Sequence, residues 1–280
     1  MQHRVLSLVL AIMLIFSVSV YGQSQSAVKV PALMYHSVSE GDTNAIISVE
    51  NFRKHLETMR DNGFTPVSLD ELISYVDYGT PLPEKPVLIT FDDGYLNNYT
   101  EAFPLLRQFG FKATMFAIIS SVGKDTYKGT THKMNSHFSY EQAREMIESG
   151  LVTIQSHTYD MHQWAAFEGS VNQPRETVLS LVSESLFDYI RHFEGDFLAG
   201  KTLIEDELNQ NLRGFAYPLG KYNAITDFIL KKNGIRVTVA TTTGQNYVKK
   251  FDPTSLYNLN RHNMYNEVSS AQLLEWLKED

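Results

Sequence analysis

Two adjacent carboxylates and two nearby histidines have the residue types and the spacing for hydrolytic chemistry. Asp92 and Asp93 come directly after a short apolar run, His157 follows another such run, and His162 lies five positions later. Adjacent side chains at the end of a strand point to opposite sides, so one carboxylate can bind a metal while the other acts as a base. Two imidazoles and one carboxylate form a ligand set that Zn²⁺ favours and that Fe²⁺, Co²⁺ and Ni²⁺ also accept. The sequence therefore predicts a site for a divalent metal, with Zn²⁺ as the preferred ion and with open coordination positions for water and substrate.

The spacing of the two histidines excludes a regular helix between them. Five residues turn an α-helix through about 500°, which leaves side chains five apart about 140° from each other around the helix axis. If His157 and His162 bind one ion, the segment HTYDMH must be an irregular loop. The hydroxyl group of Thr158 is suited to brace such a loop.

The elements that must position these residues alternate between short apolar runs and amphipathic stretches from Val30 onward, which is typical of repeated βα units. Seven or eight predicted strands favour an α/β fold of the TIM-like (β/α)7 type, distorted or incomplete, with its functional groups at the C-terminal ends of the strands. Ser68 and Glu71 predict a helix that begins with a capping box. Pro174 opens a predicted helix that runs to about residue 192; residues 193–211 are interpreted as a helical insertion, and a final strand is predicted near residues 256–259.

Two motifs resemble those of a known family. TFDDG at Thr90–Gly94 is similar to the first motif of the NodB-type polysaccharide deacetylases, carbohydrate esterase family four, and SHTYDMH is similar to the second. The resemblance covers most of the chain after residue 30 and implies a NodB homology domain. It implies that Asp92 is the general base and that Asp93, His157 and His162 bind the metal. The family usually places these histidines four apart, and the spacing of five resembles the branch that deacetylates poly-N-acetylglucosamine.

A third segment, RGFAYPLG at Arg213–Gly220, resembles the family's third motif with departures. The arginine that normally tethers the base falls on Ala216, so Arg213 or Arg261 is the candidate replacement. The backbone N–H of Leu219, which follows the proline of the motif, is expected to help hold the oxyanion, because that role needs no side chain.

The general acid and the substrate contacts are also predicted in part from the resemblance. The pattern L-x-x-H at Leu259–His262 is similar to the motif that supplies the family's acid, which implies His262; the Asp-Trp pair expected near it is not recognisable. His36, at the end of the first predicted strand, either lines the substrate groove or makes a structural hydrogen bond. Trp164 either stacks on a sugar ring or caps the barrel, and Tyr217 is a third candidate for substrate binding.

Composition limits the partners and the location of the protein. The 280 residues include 32 acidic and 24 basic side chains without a dense basic stripe, so nucleic acid is not an expected partner. The absence of Cys excludes thiolate metal ligands and a lipidated cysteine. Residues 1–22 have the architecture of an export signal or membrane anchor, residues 23–29 are interpreted as a linker, and residues 30–280 as one catalytic domain. We therefore expect an extracytoplasmic monomer, secreted or attached to the outer face of the cell membrane.

Three functions are consistent with these residues. The first is metal-dependent removal of N-acetyl groups from an acetylated polysaccharide or oligosaccharide of N-acetylhexosamine, such as poly-N-acetylglucosamine, peptidoglycan or chitin. The second is an O-acetyl esterase acting on xylan, which would use the same metal site. The third is a carbohydrate-binding relative without activity, which Ala216 and the missing Asp-Trp pair leave open.

Overall fold

The computed structural model, which describes residues 27–168 and 173–278, is built around a curled sheet of parallel strands. Two short pairs lie outside the main sheet: β1 (Ala27–Lys29) with β11 (Tyr247–Lys249), which is antiparallel, and β3 (Ser37–Val38) with β4 (Ile46–Ile47). A short strand, β5 (Thr65–Pro66), pairs with the start of β6 (Pro86–Asp93). In spatial order the main sheet consists of β10 (Val237–Val239), β9 (Gly214–Ala216), β8 (Val152–Ser156), β7 (Ala113–Ala117), β6 (Pro86–Asp93), β2 (Ala32–Tyr35) and β12 (His262–Asn263).

The sheet forms a half-barrel, which confirms the predicted incomplete (β/α)7 architecture. A single parallel bridge between Val239 and Leu259 connects the chain just before β12 to β10, at the opposite side of the sheet. The carboxyl ends of the parallel strands therefore meet around one opening, where such folds place their functional groups.

Most helices cover the outer face of the half-barrel, but the buried residues of α2 (Leu69–Tyr78) pack with those of the inner face, such as Leu88. α2 begins at the predicted capping box of Ser68 and Glu71 and ends at Gly79, which takes the left-handed conformation with φ 72°. A π-helical segment at Asn98–Ala102 leads into α3, and 3₁₀ turns occupy Ile119–Ser121, Tyr127–Gly129, Pro218–Gly220 and Pro253–Leu256. The helices are α1 (Val49–Asp61), α2 (Leu69–Tyr78), α3 (Phe103–Phe109), α4 (Tyr140–Glu148), α5 (Ala165–Glu168), α6 (Leu186–Leu208), α7 (Ala224–Lys232) and α8 (Ser270–Lys278).

Alternate residues of the strands divide between two cores. On β6, Ile89 and Phe91 belong to the outer core beneath the helices, whereas Leu88 belongs to the inner core. Burying one such side chain contributes about 1.5–3 kcal/mol to folding. The same alternation places Thr90 and Asp92 on the inner face, so the pattern that builds the core also directs Asp92 into the barrel.

Two predicted elements differ from the structure. Ser185 caps α6 by accepting a hydrogen bond from the N–H of Asp188, so the helix begins there rather than at Pro174 and runs unbroken to Leu208. Val182, which lies within the predicted helix, is 98% exposed. The final strand is predicted near residues 256–259. A 3₁₀ turn occupies residues 253–256, so the chain becomes extended only after it, and the final strand is β12.

The predicted export segment, residues 1–22, lies outside the described residues. Of the predicted linker, residues 27–29 form β1 and pair with β11. Among residues 27–168 and 173–278, no helix is both long enough and apolar enough to cross a bilayer.

Candidate active site

Strand pairing brings the carboxylate pair and the first histidine to the same level of the sheet. β6 and β8 both pair with β7, and Asp93 and Ser156 are both register partners of Ala117. Asp92, Asp93 and His157 therefore leave the sheet side by side at its carboxyl edge, although 64 positions separate Asp93 from His157 in the sequence.

Asp93, His157 and His162 form a cluster whose ligand atoms all lie within 4.8 Å of one another. Oδ1 of Asp93 is 3.7 Å from Nε2 of His157 and 3.9 Å from Nε2 of His162. Nδ1 of His157 lies 2.8 Å from the carbonyl oxygen of Ala216, and Nδ1 of His162 lies 3.0 Å from that of Glu176. A carbonyl only accepts, so each Nδ1 carries the hydrogen and each Nε2 presents its lone pair to Asp93.

Burial and charge favour a cation at this cluster. Oδ1 of Asp93 is buried and has no hydrogen-bond partner among the described residues, an arrangement that is unfavourable unless a positive group binds there. Burial lowers the pKa of His157 to about 4, which keeps its ring neutral. Burial acts to raise the pKa of Asp93, but electrostatic interactions with the three neighbouring histidines, of which His36 is the strongest, outweigh it and the pKa is lowered. Neutral imidazoles and an ionised carboxylate are the protonation states that metal binding requires.

The loop between the two histidines is irregular, as their spacing predicts. Thr158 has a left-handed backbone with φ 81°. Its Oγ1 accepts a hydrogen bond from the N–H of Met161 at 3.1 Å, and its own N–H donates to Oγ of Ser156 at 3.1 Å. The predicted brace by the Thr158 hydroxyl is therefore present.

Asp92 is bound by a buried arginine from the last strand segment. Nη1 and Nη2 of Arg261 each donate to one carboxylate oxygen of Asp92 at 2.7 Å, and Arg261 is fully buried. Nε of Arg261 donates to the carbonyl of Ala240 at 2.8 Å, and Nη1 also donates to Oγ1 of Thr90. Burial acts to raise the pKa of Asp92, but the Arg261 charge outweighs it and holds the pKa well below its usual range. Asp92 is therefore an ionised carboxylate held in one orientation.

The other candidate for the tether lies elsewhere. Arg213 pairs with Asp70 at 3.2 Å, and both side chains are largely exposed. Of the two predicted arginines, the structure thus brings only Arg261 to Asp92. Arg261 reaches the site from a strand that follows the third motif by more than forty positions, which explains how Ala216 can occupy the usual arginine position.

His262, which the resemblance implies as the acid, lies on the other face of the sheet from Asp92. Neighbouring residues of a strand point to opposite faces, and Arg261 points inward to Asp92. His262 is the register partner of Leu33, a residue of the outer core, and its ring stacks on Trp276 of α8 at 4.8 Å and 18°. The sheet therefore separates His262 from Asp92. Trp276, which none of the motifs includes, lies on the apolar face of α8, whose sequence contains AQLLEWLK.

His36 occupies the position that His262 does not. Tyr35 is the register partner of Phe91, so the next residue, His36, is level with Asp92 and on the same side of the sheet. Its charge is among the causes that lower the pKa values of Asp92 and Asp93. Nδ2 of Asn98 donates to the carbonyl of His36 at 2.7 Å and fixes its backbone. Of His36 and His262, His36 is the one that faces the carboxylates.

A small aromatic cavity opens next to the cluster. Trp164 is 47% exposed and stacks on Phe167 at 5.4 Å. Tyr95, which directly follows the DDG sequence, was not predicted; burial and the Asp93 carboxylate raise its pKa, so its phenol stays neutral. The cavity is lined by Asp93, Tyr95, Ile118, Ser121, Tyr127, Met134, Asn135, His137, His162 and Trp164.

The third motif forms a tight turn at the same edge. Leu219 has a left-handed backbone with φ 53°, and its side chain is exposed. The turn follows β9 directly, and β9 ends at Ala216, whose carbonyl accepts from His157. Tyr217, by contrast, is fully buried, and its hydroxyl donates to Asp227 at 2.6 Å, so its side chain points away from the opening.

The fold and the site together define the class of protein. Residues 79–238 match the family model described as polysaccharide deacetylase, and the chain belongs to this family. The match confirms the resemblance that the TFDDG and SHTYDMH motifs indicate.

Particular relatives are similar to most of the chain. The Bacillus subtilis (strain 168) protein YxkH, named for the same family, is 32% identical over 226 residues, which are 81% of this chain and 69% of that protein. The poly-beta-1,6-N-acetyl-D-glucosamine N-deacetylase of Escherichia coli (strain K12) is 31% identical over 218 residues, 72% of this chain but only 32% of that enzyme. The structure of IcaB from Ammonifex degensii is 29% identical with a TM-score of 0.72, covering 89% of this chain and 97% of that one.

Proposed function

We propose that this deacetylase hydrolyses N-acetyl groups of a polymer of N-acetylhexosamine and that its reaction depends on a divalent metal. The observation that carries the proposal is the juxtaposition of a buried, arginine-bound carboxylate, Asp92, with the ligand cluster of Asp93, His157 and His162. A ligand cluster alone would bind a metal, and an ion pair alone would stabilise a core. Side by side at the open edge of the barrel, they provide a base next to a cation site.

Asp92 is proposed to take the proton of the attacking water. Its low pKa keeps it ionised at neutral pH, and the two hydrogen bonds from Arg261 hold it in one orientation. When bound by Asp93, His157 and His162, a divalent ion supplies Lewis acidity toward the acetamide carbonyl, and Zn²⁺ suits these ligands best. The backbone N–H of Leu219 is proposed to donate to the oxyanion.

His36 is proposed to protonate the departing amine. A general acid must face the same reacting atoms as the base, and His36 is level with Asp92 on the inner face, whereas His262 is on the outer face. An imidazole is suited to this step because its ordinary pKa lies near neutral pH.

The cavity beside the cluster supports a sugar substrate. Trp164 presents an exposed ring at its rim, and an aromatic face suits the apolar face of a hexose. Tyr95 is a neutral phenol whose hydroxyl donates to Asp93, and its oxygen can accept from a hydroxyl or N–H of the substrate. The name of the Escherichia coli relative supports poly-N-acetylglucosamine as the polymer, and export through residues 1–22 would bring the enzyme to such an extracytoplasmic substrate.

The test is release of acetate and of free amine from an N-acetylglucosamine oligomer, with and without a chelator. We expect metal-stimulated release of both products, and loss of about 10²- to 10⁴-fold in kcat for Asp92→Asn. Acetate released only from acetylated xylan would replace the proposal with O-acetyl esterase activity. Glycan binding without metal-stimulated acetate release would identify a binding protein instead.

A further inference from the structure

Asp196 of α6 is a buried carboxylate that none of the motifs includes. One of its oxygens accepts a hydrogen bond from the N–H of Tyr159 at 2.9 Å, and the other accepts from the N–H of Asp160 at 2.7 Å. These two residues form the middle of the loop that carries His157 and His162. Burial raises the pKa of Asp196 to about 6, because the charged carboxylate is less stable in this buried position than in water.

The helix that carries Asp196 is fixed to the barrel. Phe193 and Phe197, on the same helix, both contact Phe215 of β9, with ring centroids 6.2 and 6.1 Å apart. One turn after Asp196, a Cβ at Gly200 would lie 3.5 Å from Cβ of Tyr159, which is ordinary contact. α6 thus packs on the core with one set of residues and on the loop with the next.

The loop needs an external partner because it has no regular structure. Its carbonyl groups accept from the chain after β7, since the N–H groups of Ile119 and Ser120 donate to the carbonyls of Thr158 and Tyr159. Its N–H groups at Tyr159 and Asp160 point the other way, where Asp196 accepts from both. The local brace at Thr158 therefore fixes only part of this loop, and contacts from two other elements fix the rest.

We propose that Asp196 is a positioning residue for the metal site, which sets the separation of His157 and His162 by holding the loop between them. The inference rests on the proposed metal-dependent function. It assigns to α6 a role in metal affinity although no residue of this helix is a ligand. Partners that orient ligands in this way affect metal affinity by about 10- to 100-fold.

The test compares metal binding by the full chain and by Asp196→Asn. The amide has the same shape, but one of its groups is a donor that faces an N–H, so one loop contact is lost. We expect the dissociation constant for Co²⁺ to rise at least about tenfold and the visible absorption of the bound Co²⁺ to change. Glu194→Gln is the matched control: this carboxylate, on the same helix, bonds Lys232 and Asn233 instead, and its removal should leave both readouts unchanged.

A folded Asp196→Asn variant with unchanged Co²⁺ affinity and spectrum would overturn the proposal, whatever its thermal stability. If this variant does not fold, Gly200→Val decides, since its added methyl groups displace Tyr159 while Asp196 remains; unchanged Co²⁺ binding there would equally reject the inference. Metal binding is measured without substrate. Failure of the unmodified protein to release acetate would therefore reject the proposed function without deciding whether Asp196 affects Co²⁺ affinity.

Discussion

At the scale of single residues, the chemistry of Asp92 depends on which groups the sheet places around it. Burial alone would raise its pKa above the ordinary value of 3.8, and Arg261 reverses that direction. Because the pKa is lower in the folded state, the ion pair contributes stability that is present above the unfolded pKa and is lost as the pH falls through the lowered value.

Arg261→Met should leave a buried carboxylate without a partner and lower the free energy of unfolding by about 3–5 kcal/mol, measured by urea denaturation. Burial would then raise the pKa of Asp92, so the acid limb of the kcat/KM profile should move to higher pH. Arg213→Met removes an exposed pair and should change stability by less than about 1 kcal/mol. Equal effects of the two substitutions would contradict the assignment of the tether.

The two candidate acids are distinguished by a pair of substitutions. His36→Gln should lower kcat by about 10²- to 10⁴-fold, because the amine would leave without a proton donor. His262→Gln removes a ring that stacks on Trp276 and should lower stability by about 0.5–1.5 kcal/mol while the folded enzyme keeps its kcat. The opposite pattern in steady-state kinetics would restore His262 as the acid.

At the scale of elements, the turn after β9 shows how a backbone conformation positions a donor. Gly220 has φ 66°, and a Cβ there would lie 2.2 Å from Oγ1 and 2.8 Å from the backbone N of Thr241. A side chain at this position must therefore displace Thr241, which follows β10, or the turn itself. The backbone N–H of Leu219, which we propose as the oxyanion donor, would move with it.

Gly220→Ala should accordingly reduce both stability and kcat. Gly110→Ala is the control, because Gly110 has the same φ of 66° and its added Cβ would meet nothing within 4 Å. The control should cost only the strain of a left-handed alanine, about 1 kcal/mol, without loss of activity. If the two variants were indistinguishable in thermal unfolding and kinetics, the close approach of Gly220 to Thr241 would not be important for activity.

At the scale of the whole molecule, stability derives from the two cores and from the site, since the chain has no cysteine for crosslinks. The cluster joins β6 to the loop after β8. A ligand that binds only the folded state adds stability according to its concentration relative to its dissociation constant.

A metal at 100 times its dissociation constant should therefore raise the unfolding free energy by about 2.7 kcal/mol, with a higher melting temperature by scanning calorimetry and reversal by a chelator. Asp93→Ala should abolish this increment. An equal increment in that variant would place the stabilising metal elsewhere.

The sequence by itself indicated the candidate metal ligands and determined several local elements of this protein. TFDDG and HTYDMH identify the candidate reactive residues, and the capping box at Ser68 identifies the start of a helix, because residue chemistry and local periodicity are properties of short segments. The same local logic was wrong about the start of α6, since this helix begins after Ser185 rather than at Pro174, and Val178 is buried in the outer core without being helical.

Only the tertiary structure decided which distant residues complete the site. Arg261 rather than Arg213 reaches Asp92, and His36 rather than His262 faces it, because strand pairing and the alternation of side chains determine which face and which level each residue occupies. The contact of Asp196 with the histidine loop likewise depends on the packing of α6. Such proximities arise from the register and the packing of elements far apart in the chain, which no single segment encodes.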